Sequence, residues 1–425
     1  MKQAVCGIDF GTSNSTVALA GGTAAAGLVR LEGDKTTLPS AIFFRDGVGP
    51  VFGRAGINAY LEGQDGRLIR GLKKILGTPL MADKTFIGSR AVNFTEILAV
   101  FINHLKAQAE SAAGMGLDHV VMGRPVHFHD NNHDADQVSQ DTLVGIAAQA
   151  GFKHIEFLYE PIAAAFAHEA DVTQEKLAFV IDLGGGTSDF TVIRIGPDRI
   201  NQPDRRSDIL ATSGVRVGGT TFDYRLSLKG FMPYLGLGSL YHDMFDRDKW
   251  LHVPQTVFTD LSDWALVHQA QTTKAISQTK DIARRADEPE KIARLLYVQE
   301  QHLGHALLET VEEAKIALTQ EEQHTAVLKA LADGHRFKIT RKTFEAAIRA
   351  DVAKIFTAMD ECLRQAGLTA ADIELVILTG GSTELPVINQ MVAARFPQAQ
   401  MSRGNKLDSV GRGLAYHAAH MFGAA

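Results

Sequence analysis

The chain has 425 residues, of which 45% are hydrophobic and 22% charged, and its formal net charge is −6. This length allows two or three domain-sized units, and the negative charge argues against nucleic acid or an anionic membrane as a partner. No apolar run is long enough to span a bilayer and no leader segment is evident, so we expect a cytoplasmic protein. The two cysteines, Cys6 and Cys362, fit no metal or redox spacing, and we expect both to be buried free thiols.

The first half of the chain alternates between strand and helix patterns. We predict a strand pair over 4–20, mixed strands and loops over 28–93, a helix over 95–113, a strand over 118–122, a helix around 136–150, a strand over 155–158 and a helix over 160–168. Thr95, which an acidic residue follows, is expected to cap the first of these helices. Strands interleaved with helices indicate an α/β fold.

The second half opens with strand, turn and strand from Leu177. We then predict a helix opening at Gly218, an irregular aromatic-rich insertion over 231–260, a helical stretch over 261–318 that breaks at Glu288-Pro289, a strand over 373–378 and a final helix from Val410. Within the insertion region, Trp250 and Trp264 are expected to pack in the core.

A short segment is rich in histidine and aspartate. It contains His127, His129, Asp130, His133 and Asp134. Structural zinc needs a closed set of four ligands, so we interpret the segment as an exposed loop and helix start. Asp134 is then expected to be the helix cap.

Two distant turns are near-copies of each other. Residues 9–13 read Asp-Phe-Gly-Thr-Ser, residues 182–188 read Asp-Leu-Gly-Gly-Gly-Thr-Ser, and each turn lies between two apolar runs. Glycine lets backbone N–H groups approach phosphate oxygens, and the hydroxyl side chains add donors. The two aspartates, Asp9 and Asp182, would repel phosphate alone and are explained if they hold a hydrated Mg²⁺. The pair therefore predicts a polyphosphate site, although the full sequence contains no GxxxxGK[ST] loop.

A third turn, Gly380-Gly381-Ser382, follows an apolar strand and precedes a helix. Such a turn lets an adenosine lie against the backbone, but glycine also caps turns for structural reasons alone.

These segments resemble the phosphate and adenosine motifs of the heat-shock protein 70 (DnaK) chaperones. Residues 7–15 resemble their first phosphate motif, 181–189 the second, 160–165 the connecting helix, 312–318 the adenine segment and 378–386 the adenosine motif. The similarity runs in family order along the whole chain and is greatest to short YegD-type members. It implies an actin-like ATPase fold with duplicated, ribonuclease H-like mixed sheets and two lobes around a nucleotide cleft. The implied lobes are 1–174 plus 400–425 and 175–399, with a helical insertion at about 224–335.

The resemblance also implies site residues. Asp9, Glu160 and Asp182 would arrange the water shell of Mg²⁺. The residues placed at the phosphates are Gly11, Thr12, Ser13, Gly184, Gly185, Gly186, Thr187, Gly218 and Gly219. The residues placed around the nucleoside are Glu312, Lys315, Thr319, Gly380, Gly381, Ser382 and Asp408. The implied catalytic set is Lys73, Asp9, Glu160, Asp182 and Thr187, with Lys74 as the neighbour most easily confused with Lys73.

The resemblance predicts an ATPase that binds ATP or ADP with Mg²⁺ and presents a nucleotide-dependent surface to a client or co-chaperone. Family chaperones carry a peptide-binding domain after the ATPase, whereas this sequence stops after the last ATPase helix, at Ala425. Two other functions share the superfold and stay open here, namely a small-molecule kinase and an actin-like filament subunit. The ordered motifs favour the ATPase.

Overall fold

The computed structural model describes residues 4–21, 24–45, 47–129, 132–169, 172–199, 202, 206–246, 248–328, 336–402 and 409–423. Contacts divide the chain into two compact units. The first unit comprises Met1–Gly219, Lys354–Glu384 and Ile388–Ala425, and the second comprises Thr220–Ala353 and Leu385–Val387. Strands alternate with helices through the first unit, so the predicted α/β class is confirmed.

Strands of three to eight residues form all the sheets of the described chain. They are β1 (Val5–Phe10), β2 (Asn14–Gly21), β3 (Ala24–Leu28), β4 (Thr37–Pro39), β5 (Ala41–Arg45), β6 (Gly49–Phe52), β7 (Gly66–Arg70), β8 (Lys84–Ile87), β9 (Arg90–Asn93), β10 (His119–Arg124), β11 (His154–Tyr159), β12 (Lys176–Leu183), β13 (Ser188–Ile195), β14 (Ile209–Val215), β15 (Leu240–His242), β16 (Trp250–His252), β17 (Gln323–Val327), β18 (Arg336–Thr340), β19 (Leu375–Thr379) and β20 (Gln400–Ser402).

The α-helices range from a single turn to 25 residues. They are α1 (Gly53–Leu61), α2 (Leu72–Ile75), α3 (Phe94–Ala113), α4 (His133–Gln149), α5 (Glu160–Glu169), α6 (Gly219–Leu226), α7 (Thr256–Leu261), α8 (Thr273–Ala283), α9 (Pro289–Glu300), α10 (Gly304–Ala317), α11 (Arg341–Gln365), α12 (Pro386–Arg395) and α13 (Ser409–Phe422). In the described part of the chain, no helix combines the length and the apolar character needed to cross a membrane.

The first unit contains the same sheet arrangement twice. One sheet has the order β11-β10-β1-β2-β3, with β4 also paired to β2, and the other has the order β14-β13-β12-β19-β20. In each sheet a central antiparallel hairpin is extended by an antiparallel strand on one side and by two parallel strands on the other. The central strands are continuous apolar runs because helices or the other sheet's core cover both of their faces.

Helices α5 and α13 join the cores of the two sheets. One apolar cluster contains Val5 of the first sheet, Val180 of the second and the small side chains at 163–165 of α5. Small residues let the two helices approach closely, and a Cβ built on Gly413 of α13 would overlap the carbonyl oxygen of Ala163. On its other face the first sheet packs against α3 and α4. The close packing fixes the strand ends that carry the candidate site.

The second unit consists mainly of helices α7 to α10 with two small hairpins, β15–β16 and β17–β18. Its core includes an aromatic contact between Phe231 and Phe337, whose ring centroids lie 4.8 Å apart. The Arg225 guanidinium donates to the buried Asp351 carboxylate at 2.7 Å.

The two predicted helix caps are wrong. Asn93, not Thr95, caps α3, because its Oδ1 accepts from the Glu96 N–H at 2.8 Å while the Thr95 hydroxyl donates to the carbonyl of Met81. Asn132, not Asp134, caps α4 by accepting from the N–H three residues later. In both cases an asparagine two residues earlier occupies the extended or non-helical position that a cap needs.

Other predictions are confirmed in part. The break at Glu288-Pro289 is confirmed, but the predicted helical stretch has two further breaks. Between α7 and α8, residues 262–272 contain only turns and a three-residue 3-10 helix. After α9, His302 adopts a φ of +53° and α10 begins at Gly304. Trp250 is not a core residue. It lies on a two-stranded hairpin, where its side chain packs against the His242 ring and stays 45% exposed to solvent. Cys6 and Cys362 are both free and buried, as predicted.

The histidine-rich segment is not an exposed loop throughout. His127 is exposed, but His129 is buried, with only 8% of its surface exposed, and its ring forms a hydrogen bond with the backbone carbonyl of Leu76. Asp130 lies outside the described residues.

Candidate active site

The two similar glycine turns, at 9–13 and 182–188, lie side by side in the first unit. They connect β1 to β2 and β12 to β13, so each forms the tip of a central hairpin. A Cβ built on Gly185 would overlap the Ser13 hydroxyl, and one built on Gly186 would lie 3.1 Å from Thr12 Oγ1. The Gly184 N–H donates to the Thr187 carbonyl at 3.0 Å and closes the second turn. The glycine backbone of one turn therefore faces the hydroxyl groups of the other.

The first turn also needs its own glycine. A Cβ built on Gly11 would overlap the Asn14 carbonyl oxygen. The carbonyl oxygen of Gly11 itself accepts from the Ser40 hydroxyl at 2.7 Å. Ser40, which directly follows β4, therefore fixes the conformation of this turn.

Acidic side chains meet at the carboxyl ends of the parallel strands. Asp9 lies near the end of β1, Asp182 near the end of β12, and Glu160 directly follows β11. Carboxyl ends of parallel strands meet at one edge of a sheet, which is where α/β proteins place their ligand sites. Gly123, at the end of β10, leaves room for this cluster, since a Cβ built there would lie 3.2 Å from Glu160 Cγ.

Lys73 of α2 reaches this cluster. Its Nζ lies 2.6 Å from Glu160 Oε1, and the two side chains are only 9% and 11% exposed. Although burial by itself would lower the pKa of Lys73, the carboxylates of Glu160 and Asp9 raise it above its ordinary value. Lys73 therefore carries a firmly held positive charge among several carboxylates.

The carboxylates outnumber the lysine. Burial, reinforced by the charge of Glu160, raises the pKa of Asp9 to about 7, and the pKa of Asp182 is also raised well above its ordinary value for the same two reasons. The excess negative charge in a buried site is typical of a place where a cation binds, because a divalent ion reverses these pKa shifts.

The motif reasoning did not assign a role to Asp189. This residue pairs across β12–β13 with Asp182 and is 2% exposed. Its Oδ1 accepts from the Val126 N–H at 3.2 Å, and burial followed by the charge of Glu160 raises its pKa to about 7. A charged residue inside the apolar run of β13 was the available signal, because buried carboxylates are rare unless they have a partner or a function.

Gly218, Gly219 and Gly380, three further glycines predicted for the site, lie against the second turn. A Cβ built on Gly218 would lie 2.7 Å from the Gly184 carbonyl oxygen, to which the Gly219 N–H donates at 3.0 Å. Gly380 has a φ of +80°, and a Cβ there would overlap the backbone of the residue before Gly184. The Ser382 hydroxyl donates to the same Gly184 carbonyl at 3.5 Å. A Cβ built on Gly381 would instead meet open space.

The predicted adenine segment belongs to the second unit. Lys315 of α10 forms an ion pair with the buried Asp223, with Nζ–Oδ1 at 2.8 Å. The Thr319 hydroxyl donates to the Ile316 carbonyl, and Glu312 is half-buried on α10. Asp408 lies outside the described residues.

The first unit has two sheets with the same strand arrangement, and their glycine turns face each other beside a carboxylate cluster. This is the architecture of an α/β protein with a candidate phosphate site. The family model described as Hsp70 protein matches residues 5–229 and 287–425. The chain therefore belongs to the heat-shock protein 70 (Hsp70) family and has its actin-like ATPase fold, as the resemblance predicted. Members of this family bind and hydrolyse ATP, use Mg²⁺, and bind client and co-chaperone proteins. The match leaves out residues 230–286, which lie within the predicted insertion.

Proposed function

We propose that this chain binds Mg-ATP at the paired turns of the first unit and hydrolyses it in a chaperone-like cycle of the short YegD type. The observation that carries this proposal is the buried contact of 2.6 Å between Lys73 and Glu160, beside two glycine turns that face each other. A fixed ammonium group beside the backbone N–H groups of the glycine turns can bind the terminal phosphate of ATP.

The donor set fits Mg²⁺. Asp9, Glu160 and Asp182, now joined by Asp189, supply the carboxylate oxygens that hard cations prefer. Among the described residues, no three His, Cys, Asp or Glu side chains converge to ligate a bare ion. Magnesium keeps several of its waters, and these carboxylates would hold such a hydrated ion. When bound, Mg²⁺ neutralises phosphate charge as it accumulates during the transfer.

The chain's own groups would then position the reactants. Thr12, Ser13 and Thr187 would donate to phosphate oxygens together with the N–H groups of the glycine turns. Lys73, held by Glu160, would keep its proton and orient the terminal phosphate for in-line attack by water. Catalysis of this type depends on positioning and charge stabilisation more than on covalent chemistry. The catalytic set proposed is thus Lys73, Asp9, Glu160, Asp182 and Thr187.

We further propose that the chain has the lobes 1–174 plus 400–425 and 175–399. The two large sheets support this division, because the first contains β1 to β4, β10 and β11, and the second contains β12 to β14, β19 and β20. Since β20 at 400–402 pairs with β19, the second lobe would extend to residue 402. The nucleoside would contact Gly380, Gly381 and Ser382 of the first unit.

We propose a protein as the partner whose binding depends on the bound nucleotide. Residues 230–286 add structure that the family model does not describe. They support the proposal because this additional segment could bind a protein partner specific to chains of this type. Two unpaired cysteines are consistent with our proposal of a cytoplasmic location.

The decisive experiment compares Lys73→Ala with Lys153→Ala. Lys153 is a matched control because its side chain is 69% exposed in a surface pair with Asp118. Phosphate release from Mg-ATP, without an acceptor, should fall at least about tenfold in the first variant and stay unchanged in the second. Equal rates in both variants would exclude Lys73 from the chemistry.

The same assay separates the alternative functions. Turnover that requires an added sugar would identify a kinase, and ATP-dependent sedimentation would identify a filament subunit. Calorimetry with ATP and ADP, each with Mg²⁺, tests the binding step alone. A folded protein that took up neither nucleotide would overturn the proposed function.

A further inference from the structure

Helix α2, which carries Lys73, is too short to hold its own geometry. It has four residues, and a single helical turn is unstable in isolation because its nucleation cost is not repaid. The buried side chains of Leu72 and Leu76 anchor it on the apolar side. The carbonyl groups at its end have no partner within the helix and need one from elsewhere.

His129 supplies such a partner. Its ring is buried, 8% exposed, and its Nε2 lies 2.5 Å from the carbonyl oxygen of Leu76. Gly77 turns the chain away directly afterwards with a φ of +70°, and a Cβ built on it would lie 2.7 Å from the same Nε2. The imidazole therefore packs tightly against the reversal that ends the Lys73 segment.

Arg216 completes the arrangement from the end of β14. Its Nη1 lies 3.4 Å from His129 Nδ1, and its Nη2 lies 3.5 Å from the carbonyl oxygen of Lys74. An arginine only donates, so Nδ1 must accept and the ring proton must be on Nε2, where it donates to Leu76. One tautomer of His129 satisfies both contacts, and the shorter one, to Leu76, is the stronger.

These two side chains bind the backbone one and three residues after Lys73. We propose that His129 and Arg216 form a clamp, defined by these two residues, that positions Lys73 for ATP hydrolysis. Both are positioning residues, since they act on the lysine through its backbone. Arg216 also lies two residues before Gly218, which packs against Gly184 of the second phosphate turn, so the clamp ties the lysine segment to the loop beside that turn.

This inference rests on the proposed function and makes a narrower claim. His129→Leu keeps the ring's approximate bulk without a donor, and His129→Gln keeps an N–H near the position of Nε2. We expect His129→Leu to lower kcat about tenfold while KM for ATP changes less than about twofold. His129→Gln should stay within about threefold of the wild type because its amide restores the bond to Leu76.

Two exposed side chains that make no contact with the clamp in the described structure provide matched controls. His127→Ala removes an exposed histidine two residues away, and Arg90→Ala removes an arginine whose side chain is 77% exposed. Neither should change kcat. Arg216→Ala is the second clamp variant, and because its side chain is exposed the fold should survive; we expect a reduction of about threefold in kcat, less than that of His129→Leu, since its contacts are longer.

A double-mutant cycle distinguishes positioning from general damage. If the clamp acts through Lys73, then His129→Leu should have no further effect on kcat in a Lys73→Ala background. Equal fold-losses in both backgrounds, or wild-type kcat in both His129→Leu and Arg216→Ala, would overturn the clamp while leaving the proposed function intact. A wild-type chain that does not hydrolyse ATP would instead overturn both claims. ADP affinity, measured by calorimetry, should be unchanged in the clamp variants and shows that they are folded.

Discussion

Replacing Asp189 by asparagine should stabilise the metal-free protein. The carboxylate is buried, and its pKa is raised from 3.8 to about 7 by burial and by Glu160. Because the folded-state pKa lies above the unfolded value, the ionised carboxylate costs stability at neutral and alkaline pH. That cost shrinks as the pH falls from about 7 towards 4, where both states become protonated. Asparagine keeps the oxygen that accepts from Val126 and removes the charge.

The shift sets the size of the effect. A pKa difference of about three corresponds to a cost in folding free energy of at most about 4 kcal/mol at pH 8. At pH 5, the same difference corresponds to a cost of less than about 2 kcal/mol. For a unit of this size, 1 kcal/mol moves the unfolding midpoint by roughly 2 °C. Asp189→Asn should therefore raise Tm by up to about 8 °C at pH 8 and clearly less at pH 5.

The assay is thermal unfolding in EDTA at the two pH values, with Asp118→Asn as the control. Asp118 is partly exposed, and its bond to Lys153 lowers its pKa, so its replacement should produce no gain. A gain from Asp189→Asn that is equal at pH 5 and pH 8 would show that charge is not the cause. No gain at pH 8 would refute the assignment of a raised pKa to this buried carboxylate.

Three further predictions concern the proposed site. Asp9→Asn should slow phosphate release at least about tenfold with the fold intact, because a carboxylate that holds the hydrated metal is lost; full activity would remove Asp9 from the mechanism. Thr187→Ala should slow release more mildly, by about threefold, and a fully active variant would leave Thr187 as a turn residue only. Gly218→Ala should abolish ATP binding in calorimetry, since its Cβ would lie 2.7 Å from a backbone oxygen of the second turn. Gly145→Ala is its control, because a Cβ on that exposed position of α4 meets nothing within 4 Å, and it should bind ATP normally.

Local sequence signals were most reliable where one residue type has few conformational options. The break at Pro289 is confirmed because proline cannot continue a helix from the preceding residue. The break at His302 was missed, since a histidine with positive φ carries no comparable signal. The cap of α3 was assigned to Thr95 instead of Asn93 because both residue types are good caps and only the chain's entry angle chooses between them.

The site divides in the same way. Asp9, Gly11 and the turn at 182–187 are each contained in one hairpin, so their spacing was readable directly from the chain. Asp189 was missed because its role depends on which carboxylates surround it, and those come from other strands.

The sequence by itself determined the strand–turn–strand units and the family, because hairpin turns depend on residues that are neighbours along the chain. The family resemblance favoured Lys73 over Lys74, but only the tertiary structure brings Lys73 to its carboxylate partner, since Lys73 and Glu160 lie 87 residues apart. The tertiary structure also decided that a buried histidine holds the lysine segment, because that contact joins residues 53 positions apart. Contacts at such separations arise from the packing of α2 and the strand ends around one core, and no local pattern of residues encodes them.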